Sequence, residues 1–337
     1  MARYVAEKLC YIVLLTLCSC TVMRPERDVE EKLLRDTLAL VREVKEFERT
    51  LSIEPTEALI RSSQQKPVTS MLWIWLQKLG TIATRAPIDA RIGITFSLPK
   101  EQVPLDRIYR APGYSHYFRQ GNQFGDEGSV ITLDFAREKI AAKVKVIIHE
   151  DLHDDRNFDL PWEHEEALIT PIGMLAALQF LQHKADPEGV SDMERAIDEE
   201  RQLSRELTAL VREAEQIFAT VPVLEGRKKV SGLLASYPVY SRYYFYQVND
   251  QDADLALEAK LSHDLAYYKY FDRLVALYER MGDLKTILLE LKKAARGSNG
   301  ENPEELLQTL ESKYGQKAGE TQTGSPQVGP ERIKVSK

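Results

Sequence analysis

Cysteine is scarce in this chain of 337 residues, and its placement is lopsided: Cys10, Cys18 and Cys20 are the only three. Beyond residue 20 there is no thiol, so the body holds no disulfide and no thiolate-bound metal. Any metal there must be held by histidine, aspartate or glutamate. Long apolar runs are missing as well, apart from Leu9–Leu17 near the start. A strong positive charge is also absent. The formal net charge is -7, and no basic stripe with interleaved aromatics is present, which argues against nucleic acid as the partner. The one compact basic cluster, Arg227-Lys228-Lys229 after Gly226, reads as a solvated turn. No internal repeat appears. What remains, 43% hydrophobic and 29% charged residues, is the make-up of a globular protein.

The early apolar run is too short for a comfortable transmembrane helix but suits the core of a signal peptide, with Arg3 and Lys8 before it. It ends in Leu17-Cys18-Ser19-Cys20, which resembles the bacterial lipobox. Cys20 fits as the lipidated residue, because an apolar residue stands three before it and a small one just before it. Cys18 fits less well, with bulky Leu17 in front. The expectation is a lipoprotein signal peptide at 1–20, a body at 21–296 and a largely disordered tail at 297–337. A plain cleaved signal or an uncleaved anchor is the alternative.

Apolar residues at helical spacing predict a helix over 29–51. Residues 71–76 form a dense apolar patch. Alternation at 91–96 and a short run at 130–133 predict strands. The glycine-punctuated stretch around Tyr114, Tyr117 and Phe118 reads as loop. Asp134 is placed to cap a helix running to His153. Further helices are expected from Trp162 to about His183, with Pro171 as a kink or a delayed start, and over 191–219. A final pair is expected over 252–281 and 284–295, with Gly282 between them. The tail has one short helix at 304–313. The fold class is therefore α+β, mainly α.

His149-Glu150-Asp151-Leu152-His153 matches the H-E-x-x-H pattern of zinc peptidases. On a helix, residues i and i+4 share a face, so two imidazoles can bind one ion. The glutamate after the first histidine can then act as base toward a bound water. A third ligand is required, and Glu166 is a downstream candidate. Glu163 and His164 are alternatives, more simply read as solvated residues near a helix start. Tyr237, Tyr240, Tyr243, Tyr244 and Tyr246 could include a donor for a developing oxyanion, although a tyrosine cluster more often packs. His263 is another possible donor.

This region resembles the predicted aminopeptidases of proteobacteria, lipoprotein-like members of the gluzincin group. Their H-E-L-x-H motif is followed by a short loop and a segment similar to N-E-x-x-A-T. Here that segment reads Glu165-Glu166-Ala167-Leu168-Ile169-Thr170-Pro171-Ile172-Gly173, with Glu165 in place of the asparagine. The specific part of the likeness runs from His149 to Gly173. It implies a zincin-like helical metallopeptidase domain with a small sheet. His149, His153 and Glu166 would bind zinc, and Glu150 would serve as general base. The substrate would be a peptide. Localisation would be the cell envelope, anchored by lipid at the periplasmic face of the outer membrane. Asp151 replaces the usual apolar residue inside the motif, and Asp154 and Asp155 follow it. These extra carboxylates could orient the ligand histidines, or they could mark an inactive copy. The competing readings are a non-catalytic envelope lipoprotein that binds or scaffolds, and a cytoplasmic helical protein with chance motifs.

Overall fold

Apolar residues three and four apart along the first helix, Leu34, Val41 and Val44, are buried together with Thr37, Lys45 and Glu48, so one stripe of this helix faces the interior. The computed structural model describes residues 24–64, 71–84, 98–99, 112–120, 129–155, 162–249, 251–297 and 303–315. The helix is α1, Arg24–Thr50. Residues 1–20, with Cys20 and the expected lipobox, lie outside the described residues, as does the strand expected at 91–96. Among the described residues no helix is long and apolar enough to cross a membrane.

The protein is mainly helical with one small antiparallel sheet, in agreement with the α+β, mainly α expectation. The apolar patch after residue 70 is β1, Met71–Lys78. It is central in the order β2-β1-β3, where β2 is only Leu98–Pro99 and β3 is Tyr114–Gln120. Trp75 lies opposite Tyr117 in the register. The stretch read as a glycine-rich loop therefore holds a seven-residue strand. Its β character comes from Tyr114, Tyr117 and Phe118, which the neighbouring glycines obscure.

Two further expectations are corrected here. Residues 130–133 form no strand; Ile131 makes a single parallel bridge to Ser62. Thr132, not Asp134, is the cap, and it opens only a short helix, α2, Leu133–Arg137. Glu138 and Lys139 are extended, so the helix restarts as α3, Ile140–His153. From α3 the inward residues Ala141, Val144, Ile148 and Asp151 follow at helical spacing.

The next helix, α4 (Trp162–His183), is continuous through Pro171. It is buried on nearly every side from Ala167 to Leu181, which suits its lack of an amphipathic stripe. Pro187–Thr220 forms α5, capped by Asp186, whose side chain accepts from the Gly189 N–H at 3.1 Å. Val223–Leu233 forms α6, so Arg227-Lys228-Lys229 lies on a helix rather than in a turn. Arg227 there reaches the buried Glu258, at 2.9 Å. Pro238–Gln247 is α7.

The expected final pair is three helices: α8 (Ala253–Tyr268), α9 (Phe271–Met281) and α10 (Leu284–Gly297). The extra break falls at Tyr270. Gly282 ends α9 at φ 66, a left-handed cap that glycine adopts without strain. The last described helix, α11 (Pro303–Gly315), buries Leu307 and Leu310, and Arg273 of α9 binds its Glu304 and Glu311. The packed body thus continues past residue 297. One core lies under α1, α3, α4 and α9–α11, and a second lies between the sheet, α5, α7 and α8.

Candidate metal centre

The H-E-D-L-H segment occupies the last turn and a half of α3, and Glu166 lies in the second turn of α4. The two helices pack against each other, and Gly173 of α4 faces the His149 backbone. A Cβ added at Gly173 would stand 3.5 Å from the His149 Cα. Absence of a side chain there brings the helices close, and Glu166, two turns earlier on the same face, meets both histidines.

His149 Nε2 lies 3.5 Å from Glu166 Oε2, and His153 Nε2 lies 3.3 Å from Glu166 Oε1. The two imidazoles stand nearly perpendicular, with centroids 4.9 Å apart. One donor atom from each of the three residues falls within 4.8 Å of the others. This is the grouping expected from the sequence. Both histidine side chains are 20% exposed, so a solute can reach them, whereas Glu166 is buried. Glu166 Oε2 is shut off from solvent and has no hydrogen-bond partner, an arrangement that costs free energy unless a cation or donor faces it. Two imidazoles and one carboxylate, with one orphaned anionic oxygen between them, fit a divalent cation.

Electrostatics treats the two imidazoles differently. Burial lowers the His149 pKa to about 4, leaving a neutral imidazole with a free lone pair. Burial works against protonation of His153 too, but its bonds to Glu165 and Glu166 outweigh this and raise it to about 10. Burial would raise Glu166, yet the bond from His153 and the charges of His149, His153 and His263 hold it below the ordinary carboxylate value. Glu150 is pushed up to about 7, first by burial, with Glu166, Asp154 and Asp151 adding to the effect.

Asp151 and Asp155 have partners other than the two histidines. Asp151 is two residues from His149, about 200° round the helix, and faces away from the group. It is buried against α1, where Lys45 Nζ reaches Oδ1 at 2.6 Å and Oδ2 at 2.5 Å, and the Thr56 hydroxyl donates to Oδ1 at 2.5 Å. Asp155 binds Lys292 of α10 and accepts from the Glu54 N–H at 3.0 Å. Two buried ion pairs therefore clamp the end of the histidine helix to α1 and α10. The carboxylate that does hold one of the two histidines is Glu165. Its Oε2 lies 3.2 Å from His153 Nδ1, which turns Nε2 toward Glu166.

The other candidates separate clearly. His164 does not join the three-residue group, and the Glu163 side chain lies outside the described residues. Tyr240 and Tyr244 are buried in the second core, bonded to Asp264 at 2.8 Å and to the Ala253 carbonyl at 2.5 Å. Tyr237 binds Glu213 at 2.5 Å, Tyr243 packs edge-on against Tyr268, and Tyr246 is exposed. The tyrosine that feels the charge of the site is Tyr267 of α8, one turn beyond His263. Burial and the negative charge of Glu166 raise it far above the ordinary phenol value, so its hydroxyl stays protonated. His263, one turn earlier, is mostly buried rather than a surface residue. Its Nδ1 lies 2.9 Å from Asp264 Oδ1, and its ring stacks 5.0 Å from that of Tyr267. Apart from the His263–Tyr267 spacing of four on one helix, nothing in the sequence marks Tyr267. No known protein family, curated protein or solved structure matches the protein.

Proposed function

We propose that the protein is a zinc-dependent peptidase of the bacterial cell envelope, with a zincin-like body tethered by lipid at Cys20. The observation that carries this reading is the convergence of two imidazole Nε2 atoms on the two oxygens of one buried carboxylate, one of them orphaned. Zinc suits such a set, which contains no thiolate and three protein ligands, the number usual for a catalytic site. His149, His153 and Glu166 would hold the ion. When bound, it would supply Lewis acidity toward a peptide carbonyl and a more acidic water.

The side chains around it have separate roles. Glu150, with its pKa near neutrality, accepts the proton of the attacking water and returns it to the departing amine. Glu165 fixes the His153 ring through Nδ1. Tyr267, kept protonated, donates its hydroxyl hydrogen to the carbonyl oxygen as charge develops there. His263, held at Nδ1 by Asp264 and kept neutral by burial, presents Nε2 as an acceptor.

Metal analysis of the purified protein is the first test. Absence of stoichiometric zinc after exposure to it would defeat the reading. With zinc bound, Glu150→Gln is expected to retain the metal and lose peptide hydrolysis. Unchanged turnover would remove Glu150 as base. Bound zinc without turnover of any peptide would point instead to a non-catalytic binding module. A Cys20 that never carries lipid would overturn the envelope anchor alone.

A further inference from the structure

Among the described residues, Arg119 is a cation without an ion pair whose charge reaches the proposed peptidase site. Arg119 is on β3, whose side chains alternate between two faces. Ser115 and Tyr117 face α8: the Ser115 hydroxyl donates to the Leu255 carbonyl at 2.7 Å and accepts from the Ala259 N–H at 3.0 Å, and the Tyr117 ring lies 5.1 Å from His263. Arg119 shares that face. Two strand residues advance about as far as four to five helix residues. The contacts keep this step, from Ala259 to His263, and the next step brings Arg119 to Tyr267. Beyond its own partial burial, Tyr267 is the group that most influences Arg119, and the arginine's charge also reaches His149, Lys260 and His263.

Four cations elsewhere around the centre are matched. Lys260 pairs with Asp264, Arg227 with Glu258, Lys45 with Asp151 and Lys292 with Asp155. Lys145, one turn before His149, carries its charge to both Glu200 and His149. Among the described residues the Arg119 guanidinium makes no ion pair and no hydrogen bond, and the residue is exposed. A guanidinium offers paired N–H groups that match a carboxylate, and here it is carried on the strand face that packs on α8, with its charge felt at His149 and Tyr267.

We infer that Arg119 binds a carboxylate of the substrate, so that the enzyme selects peptides carrying a free carboxylate near the scissile bond. This rests on the peptidase reading above. A substrate ammonium would be repelled at the same place, which points away from the amine-terminal preference implied by the family resemblance. The carboxylate is either the C-terminus of the peptide or an acidic side chain.

The test uses the full-length protein loaded with zinc and three N-acetyl dipeptides: one with a free C-terminal carboxylate, its C-terminal amide, and an amide with glutamate at the last position. Wild type is expected to favour one carboxylate form over the neutral amide by about a hundredfold in kcat/KM. Arg119→Gln should collapse that ratio to within about threefold, and Arg119→Lys should keep part of it. The preferred form tells C-terminus from side chain. No preference in wild type, or equal loss on all three peptides in Arg119→Gln, overturns the inference. Calorimetric titration of the same peptides onto Glu150→Gln protein gives a readout without turnover. Tighter binding of a carboxylate form that Arg119→Gln erases, in a protein that hydrolyses nothing, would sustain Arg119 while the peptidase reading fails. Hydrolysis and binding that both ignore Arg119 would sink this inference alone.

Discussion

Replacing Asp151 with leucine restores the apolar residue usual at that place in the motif, and on sequence grounds it should improve the protein. The structure predicts the reverse. Asp151 is 1% exposed and binds Lys45, itself 7% exposed, through both carboxylate oxygens. Leucine would leave the ammonium buried and unpaired, a change that costs about 3–5 kcal/mol. One neighbour moderates the loss. Glu48, one turn beyond Lys45 on α1, is fully buried, and its pKa is raised well above the ordinary value by burial first and then by Asp151. With Asp151 gone, Glu48 can ionise and take over Lys45. Asp151→Leu alone should therefore fall near about 3 kcal/mol, and Asp151→Leu with Glu48→Gln nearer about 5 kcal/mol. For a body of this size the single variant should lower Tm by on the order of 10 °C. Adding Lys45→Met removes the stranded charge and should recover most of the loss, since apolar replacements of a buried pair are often neutral. Urea unfolding of the four proteins at one pH, with and without zinc, measures each step. An Asp151→Leu protein as stable as wild type, or a Lys45→Met addition that makes matters worse, would refute the clamp.

Glu165→Gln keeps an acceptor near His153 Nδ1 but removes its charge, so zinc affinity should fall by about tenfold to a hundredfold, read by competition with a chelator, with little change in stability. No change in affinity would detach Glu165 from the site. Glu48→Gln should stabilise the protein at neutral pH. The folded carboxyl stays protonated above its ordinary value of 4.5 while the unfolded one ionises, so wild-type stability declines as pH rises from there. The gain should grow by up to about 1.4 kcal/mol per pH unit and vanish below about pH 4.5, as followed by urea unfolding across pH. A gain independent of pH would contradict it.

The three-residue group is legible because its spacing is its geometry. His149 and His153 share a helix face by count alone, and Glu166 follows at the start of the next helix, where α3 and α4 must meet if Gly173 packs on His149. The same count, applied once more, puts Asp151 on the opposite face. Its apparent intrusion into the motif is an interior contact with Lys45, whose position 106 residues earlier gives the sequence no local trace. Glu165 reads as a substitution for asparagine and proves to be the partner of His153. Tyr267 and Arg119 are beyond the reach of the sequence for a different reason. They arrive from α8 and β3, and only the pairing of Ser115 and Tyr117 against α8 brings them to one place. Flanking glycines also hide β3 itself, so the strand that carries Arg119 reads as loop.

The two ion pairs at the end of α3 bear on function more than on stability. A buried pair seldom stabilises more than well-packed apolar residues of the same volume. It does, however, impose direction. Lys45 ties both oxygens of Asp151, and Lys292 ties Asp155 and the Ser52 carbonyl together, so the last turn of α3 is fixed in rotation as well as in place. That turn carries His149, Glu150 and His153. An apolar clamp would hold the helix against α1 but would let it turn by small angles. A few degrees of rotation would move the Nε2 atoms off Glu166. The triple replacement of Lys45, Asp151 and Glu48 separates the two roles: near-normal stability together with weakened zinc binding is the outcome expected if these charges serve to aim the helix.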